Sequence, residues 1–434
     1  MEEILSLAKK VADQAEVYFV SAKETPVGFE ANRLKQIRTR QSTAVALRLI
    51  KGGKLGFAAS SRLDNPQALV AAALETAHFG AQAKFELPPA LDYPRVEIYD
   101  PKVEKMSLEQ MVQLGQSLID KVRAHTPELL CDTRVNKAVV SVQIANSRGG
   151  RSSYKKSLFS LGLDGNLIRG TNILFVEEIQ NSCHPVLEYH EMAESVIRQL
   201  ELAKNLAQID SGNLPVVFTP RGVASGLMAP LAVAFNGKLV LQGASPLGQR
   251  RGECVFDPRL SLWDDATQPF RPHSGPCDDE GIPCRRLPLI EQGVVSHFYY
   301  DLQTAGLANT ESTGHGSRAA GGAPMPMTSA LVVDEGDISF ENMVRDMREG
   351  LVVEVLMGAE QGNILAGDFS GNVLLGYKVE RGEFVGRVKD TMVSGNIYSA
   401  LRQLAGLGNK SIWVGAALKT PPLYFPSLAV ASKS

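Results

Sequence analysis

His190-Glu191-Met192-Ala193-Glu194-Ser195 places one imidazole and two carboxylates on a stretch that reads as a helix. Zinc peptidases set two histidines one helical turn apart so that both rings reach one ion, with a glutamate between them as general base. Here the second histidine is missing, because Glu and Ser stand at positions 194 and 195. The stretch is read as a solvated helix face. His273, Cys277 and Cys284 form a second set of zinc-type donors, but without a Cys-x2-Cys knuckle or a fourth ligand they are expected to be loop residues. Beside them run Asp278, Asp279 and Glu280, with Arg285 and Arg286 as their expected internal partners. Gly281 and Pro283 favour a tight turn there, expected to be architectural and partner-facing and not an acid/base pair. Gly314-His315-Gly316-Ser317-Arg318 lacks the Lys-Ser/Thr ending of a phosphate loop, and Gly367-Asp368-Phe369-Ser370-Gly371 puts its serine in the wrong place for a nucleophile elbow. The first is read as a turn, serine hydrolysis is unsupported, and His297 is read as an ordinary strand residue.

The chain that positions these groups has 434 residues, 44% hydrophobic and 21% charged, enough apolar material for more than one core. A net charge of −2 gives no field for phosphate backbones or anionic membranes, and 6% aromatics argue against a base-stacking surface. Five cysteines spread along the chain are not a disulfide framework. The acidic start Met1-Glu2-Glu3 does not resemble an export signal, and the uncharged run Gly222 to Gly237 is too short for a membrane span. A cytoplasmic protein with a buried or glycine-kinked segment is expected.

Periodicity predicts a first unit over 1–84. It has an N-terminal helix, strand-like runs at Glu16 to Ser21 and Val27 to Arg38, a hairpin of Thr43 to Ile50 with Leu55 to Ser60 turning on Gly52-Gly53, and a helix capped at Asn65. A Pro-rich linker over 85–106 follows. The middle unit, 107–208, opens on the capping box Ser107 to Gln110. Three strands then follow, separated at Ser147 to Gly150 and at Asp164-Gly165-Asn166, before a helix over Glu191 to Asn205. The third unit, 209–434, is glycine-rich and strand-dominated, with hairpins turning on Gln292-Gly293 and Arg381-Gly382. Runs of strands without intervening helices make this an α+β chain rich in antiparallel sheet.

Several blocks of the third unit now carry a resemblance: Leu214 to Gly222, Asp278 to Arg286, Leu289 to Val294, Tyr300 to Ala305, Gly367 to Gly371 and Ser394-Gly-Asn396. Their order and spacing are similar to the TldD/PmbA family, also labelled modulator of DNA gyrase, and the hairpin Ala44 to Phe57 extends the likeness over almost the whole chain. The resemblance implies a TldD/PmbA-like fold with an N-terminal α/β region and a large β-dominated C-terminal domain. In that family the TldD subunit carries His-Glu-x-x-x-His and acts as the metallopeptidase half of a heteromeric assembly. Here Met228 to Val233 lies where that motif falls, and none of these residues is a zinc ligand of the motif's kind or accepts a proton. The resemblance therefore implies a PmbA/TldE-like subunit of a cytoplasmic peptidase that cleaves unfolded peptides. It would have no catalytic or metal residues and no cofactor of its own, zinc being held by a TldD-like partner, and would form a heterodimer or a homodimer. Asp279, Glu280, Arg286, His315, Asp368 and Ser370 are the residues expected to touch substrate or partner. The alternatives are a self-sufficient peptidase with an unrecognised site and a gyrase- or protein-binding modulator; neither direct nucleic-acid contact nor a membrane is expected.

Overall fold

The computed structural model describes residues 1–319 and 322–433. Helix α1 (Glu2–Ala8) leads into strands β1 (Gln14–Glu30), β2 (Arg33–Ile37), β3 (Arg40–Lys51) and β4 (Lys54–Ser60), then helices α2 (Pro66–Phe79), α3 (Pro101–Lys105) and α4 (Leu108–His125). Strands β5 (Leu130–Asn146), β6 (Arg151–Arg169) and β7 (Asn172–Ser182) and helix α5 (Tyr189–Leu202) follow. The strands before and after the Pro-rich stretch share one antiparallel sheet, ordered β4-β3-β1-β5-β6-β7 with β2 on β1. That stretch therefore links parts of one layer.

Local chemistry explains most of these elements. Gly52 and Gly53 take φ of 56° and 74°, which a tight primed turn demands. Asn65 accepts from the Ala68 N–H to start α2, and Ser107 and Gln110 close the expected capping box on α4. Two strand readings need correction. The run Val27 to Arg38 is broken at Ala31 and Asn32, both at positive φ, where the Asn32 side chain bonds Cys131 N at 2.9 Å and Leu129 O at 3.1 Å. Asp164-Gly165-Asn166 is no turn, since β6 continues to Arg169 and the chain reverses at Gly170. Gly165 serves packing instead: a Cβ there would stand 2.8 Å from Val176 and 3.0 Å from Leu129.

Side chains alternate along each strand, so the sheet has two distinct faces. Val17, Val27 and Phe29 of β1 point to the face covered by the helices. There α1 packs over β1 and α2 over β3 and β4, while Met111, Leu118 and Val122 of α4 and Met192 and Val196 of α5 pack over β5 to β7. Glu16, Tyr18, Arg48, Val142 and Ile144 point the other way.

The rest of the chain begins with β8 (Gly212–Phe218), then α6 (Pro220–Gly226), α7 (Met228–Ala234) and α8 (Gly237–Leu241), so the uncharged run is two short helices meeting at Leu227. Next come β9 (Leu262–Asp265), β10 (Arg286–Glu291), β11 (Val294–Val295), α9 (Leu302–Leu307), β12 (Gly316–Ser317), β13 (Met325–Pro326), β14 (Leu331–Val333), α10 (Phe340–Arg345) and β15 (Glu349–Met357). After them stand β16 (Asp368–Glu380), β17 (Glu383–Arg387), β18 (Thr391–Asn396), α11 (Ile397–Arg402), β19 (Gly406–Leu407), β20 (Ile412–Val414), β21 (Leu418–Thr420) and β22 (Leu423–Ser432). Strand β16 pairs β18 through its first half and β15 through its second, so β15-β8-β22-β18-β16 closes on itself around Val216, Phe218, Leu351, Phe369, Val393 and Phe425. A smaller sheet runs β11-β10-β9-β14-β21-β20. Val352, Leu375, Tyr377 and Val379 point out of the closed strands into the core built by α4 and α5, so one helical layer is packed from both sides.

Gly115 marks how tightly that layer fits, because a Cβ there would meet the Phe29 ring at 2.5 Å and Val135 at 3.1 Å. Both neighbours are fully enclosed and cannot swing away. Gly115→Ala is expected to destabilise the chain by about 1–3 kcal/mol through overpacking, read as a lower urea midpoint. An unchanged or raised midpoint would mean that α4 is free to shift.

Candidate functional site

Glu16 and Arg48 stand directly opposite each other on β1 and β3, on the sheet face turned away from the helices. Arg48 Nη2 donates to Glu16 Oε2 at 3.0 Å, and its Nη1 donates to Glu280 Oε1. Arg318 Nη2 donates to Glu16 Oε1. Carboxylates and guanidiniums thus alternate through Glu280, Arg48, Glu16 and Arg318, all buried, and bind the large sheet to the segment 278–318. Other atoms of these groups have neighbours as well, although the buried Arg48 Nε has no hydrogen-bond partner among the described residues. Glu280 Oε2 accepts from Leu302 N at 2.7 Å, the Arg48 guanidinium lies 4.8 Å from the Phe85 ring centroid, and that of Arg318 lies 5.3 Å from Tyr18.

The acidic turn is pinned by backbone donors. Asp278 accepts from Glu280 N, Ile282 N and Gly316 N at 2.8–2.9 Å, and Asp279 accepts from Arg318 N at 2.8 Å. Burial nevertheless pushes both aspartates up, and the Glu280 charge adds to the rise at Asp278. Gly281 at φ 76° makes the turn, and Tyr93 donates to its carbonyl at 3.1 Å.

A polar cavity of about 190 Å³ adjoins this cluster, lined by Tyr154, Lys156, His273, Cys277, Cys284 and His315 among others. Lys156 Nζ donates to Pro272 O at 2.8 Å, and burial lowers its pKa. Burial likewise pushes the Cys277 thiol up to about 12, so it is a structural thiol and not a nucleophile. His315 sits with Nδ1 3.0 Å from Thr313 O and Nε2 3.4 Å from Asp264 Oδ2. Asp264 also accepts from Ser329 N at 2.8 Å, Ala330 N at 3.1 Å and the Ser329 hydroxyl. Burial would raise its pKa, but His315 and the Ser329 bonds outweigh burial and hold it low.

The structure brings Asp279, Glu280 and His315 into one neighbourhood and leaves the other expected residues outside it. Arg286 is no partner of the acidic run. It lies on β10, 3.8 Å over the Trp263 ring and 3.5 Å from Asp334, while Arg285 is exposed beside it. Arg48 and Arg318 draw the acidic run inward until Glu280 is wholly buried, an architectural role, while Arg285 and Arg286 at the end of the same turn stay exposed. Asp368 and Ser370 are exposed on β16, opposite Asn396 and Ser394 of β18, and Asp368 accepts from Asn396 Nδ2 at 2.9 Å. His190 and Glu194 are exposed on α5. Glu16 and Arg48 went unnoticed in the sequence, although each is a lone charge inside an apolar strand, Val17-Tyr18-Phe19-Val20 following one and Leu47 and Leu49 flanking the other.

The edges of the large sheet are mostly covered. Along β4, Leu55 N donates to Ala81 O and Phe57 N to Thr76 Oγ1, while along β7 the Gln199 amide takes both backbone groups of Glu177 and Arg387 donates to Ile173 O. Strand β2, exposed along its length, pairs with β1 alone among the described strands. No helix among the described residues is long and apolar enough to cross a membrane.

Residues 211–432 match the PmbA/TldA metallopeptidase C-terminal domain, and residues 15–77 match PmbA/TldA metallopeptidase domain 1. The chain is 26% identical to Metalloprotease PmbA of Escherichia coli O157:H7, over 93% of this chain and 89% of that one. It is 23% identical to the Metalloprotease TldD homolog of Haemophilus influenzae, over 92% and 86%. The crystal structure of TldE from Thermococcus kodakarensis superposes with a TM-score of 0.91 at 22% identity, covering 100% of both chains.

Arg48→Met is expected to cost about 3–5 kcal/mol, since it leaves buried Glu280 without a cation and Glu16 with Arg318 alone, while Arg48→Met combined with Glu16→Met and Glu280→Met should cost less than the three single changes summed. Additive costs in denaturant melts would mean that these three groups are independent. Stability supplied by Asp264 is present above its unfolded pKa of about 3.9 and lost as pH falls through the lower folded value. Asp264→Asn should therefore flatten the fall of melting temperature between about pH 4 and pH 2; an unchanged slope would contradict the pairing with His315.

Proposed function

The chain belongs to the PmbA/TldD metallopeptidase family, and on that premise we propose that it is the PmbA/TldE-like, non-metal-binding subunit of a TldD-type assembly that cleaves unfolded peptides. The zinc is then held by a TldD-like partner. Helix α7 carries this reading: where a TldD subunit would present its His-Glu-x-x-x-His, Met228-Ala-Pro-Leu-Ala-Val233 offers only apolar side chains, with Pro230 and Leu231 packed into the core. The residues present do not fit a catalytic zinc. Among the described residues there is also no grouping of three or more His, Cys, Asp and Glu placed to hold a metal.

The role left to such a subunit is to hold peptide and partner. An extended substrate bound through its backbone needs an open strand edge and no catalytic triad, and β2 offers one. Similarity of this chain to both PmbA-named and TldD-named relatives supports a pseudo-symmetric dimer, in which the partner presents a similar architecture with a furnished α7. The cytoplasm, where unfolded peptides arise and thiols stay reduced, suits five unpaired cysteines.

The isolated chain is expected to hold far less than one zinc per molecule by elemental analysis. Its melting temperature should not move with added zinc, whereas a true site at a hundredfold excess over Kd would add about 2.7 kcal/mol. One tightly held zinc, lost on changing His190 or Cys277, would overturn the reading.

A further inference from the structure

The face of the large sheet that carries Glu16 and Arg48 is covered by the C-terminal unit at one end and open at the other. At the open end, register sets side chains in rows across the strands. Gly28, Arg134, Gly162 and Ile179 form one row, and Asp132, Asp164 and Glu177 form the next, with Leu130, Asn166 and Phe175 beyond them and Ile168 opposite Ile173 last. The first two rows line a groove of about 600 Å³ that also takes in Glu24, Glu30 and Gln36. Gly28 and Gly162 give it a floor without side chains. Five strands about 4.8 Å apart make the groove roughly 19 Å long, the reach of about six extended residues.

Two independent features of this face are costly if it stays bare. Like charges directly opposite each other on neighbouring strands destabilise a sheet, yet Asp132 faces Asp164 and Asp164 faces Glu177. Arg134 lies 3.4 Å from Asp164 with 74% of its side chain exposed, so it offsets little, and Asp132 accepts from Ala31 N at 2.8 Å through one oxygen. Burial pushes Asp164 and Glu177 up; the Arg134 and Arg221 charges oppose this, and neighbouring carboxylates add to it. Alongside the acidic row, Leu130, Ile168, Ile173 and Phe175 form an apolar strip whose members are 41–55% exposed. Exposed apolar side chains gathered on one face mark an interaction site, and the adjoining row of carboxylates makes a basic polypeptide the complementary occupant. The β7 edge beside it is capped at Ile173 and Glu177, so an occupant must engage the face through side chains.

We propose that this face docks an extended polypeptide segment carrying two or three Lys or Arg residues interleaved with apolar ones. Cationic side chains lie along Asp132, Asp164 and Glu177, apolar ones lie on the Phe175 strip, and the backbone crosses the glycine floor. The proposal deepens the reading of the chain as a peptide-holding subunit and rests on it. It assigns to this subunit a preference for basic, apolar substrate segments.

The test uses the full chain without any partner and fluorescein-labelled dodecapeptides of alternating Lys and Leu, or alternating Glu and Leu, read by fluorescence anisotropy at low salt. The Lys peptide should bind at least about tenfold tighter than the Glu peptide, and salt should weaken it. The triple variant Asp132→Asn/Asp164→Asn/Glu177→Gln should lose about tenfold in affinity, and Asp164→Asn alone a smaller part, while melting temperatures hold or rise because the like-charge row is relieved. Ile173→Ser/Phe175→Ser should weaken binding without touching the charge preference. Equal binding of the two peptides, or full affinity in the triple variant, overturns the proposal. So does self-association of the chain that Phe175→Ser abolishes while peptide binding persists, which would give the face to a second copy. Loss of the peptidase-subunit reading is seen separately, in cleavage assays with a partner, and leaves the anisotropy result standing.

Discussion

Glu16 and Arg48 form a cross-strand pair inside the large sheet and at the same time the inner half of a four-member ion chain to Glu280 and Arg318. Strand side chains alternate between faces, so a slip of one residue in β1 against β3 would carry Glu16 into the helical core and Val17 out of it, and leave Arg48 without its cross-strand partner. Sheet register and the seam between the two halves of the molecule are therefore one constraint. Buried charges cost several kcal/mol each unless partnered, and here the partners come from residues more than two hundred positions away. Each half is thus incomplete alone.

That seam also decides which chemistry the chain retains. The carboxylates of the acidic turn spend their oxygens on backbone N–H groups and guanidiniums, His315 is held between Thr313 and Asp264, and burial raises the Cys277 and Cys284 thiols far from the thiolate range. A general acid or base needs a proton path to substrate and a pKa near the working pH; these groups are committed to structure. What the molecule presents outward is the backbone edge of β2 and, at the open end of the sheet face, a row of carboxylates beside exposed apolar side chains. Such a surface suits holding a peptide for a reaction performed elsewhere.

Local signals in the sequence reached the elements and stopped short of the site. Gly52-Gly53, Asn65, Ser107 to Gln110 and Arg381-Gly382 each act within a few residues, and each stands where its turn or cap chemistry predicts. Gly165 looked like a turn because a glycine between Asp and Asn usually makes one, while its actual reason, close approach of Val176 and Leu129, is tertiary. The acidic turn failed in the same way. Arg285 and Arg286 were near in sequence, but Arg48 and Arg318 are near in space. The hint lay in lone charges within apolar strands, which are stable there only when a partner arrives from another part of the chain. The family blocks of the third unit reached further than any local rule, implying a large β-dominated domain, but the closure of β15-β8-β22-β18-β16 was not legible, because it joins strands far apart in sequence.

The central claim is that peptide cleavage requires a metal-bearing partner and draws no catalytic group from this chain. It is tested most directly by single-turnover cleavage of an unfolded peptide, with this chain alone in zinc, a TldD-like subunit alone, and the two mixed at equal concentration. The account predicts no cleavage above background by this chain alone and full activity in the mixture. That activity should be abolished by removing a histidine of the partner's metal motif and kept, with assembly intact by sedimentation, when Glu280 is changed to Gln. Zinc-dependent cleavage by this chain alone, or a loss of about a thousandfold or more from Glu280→Gln in an intact assembly, the scale of a lost general acid or base, would contradict it.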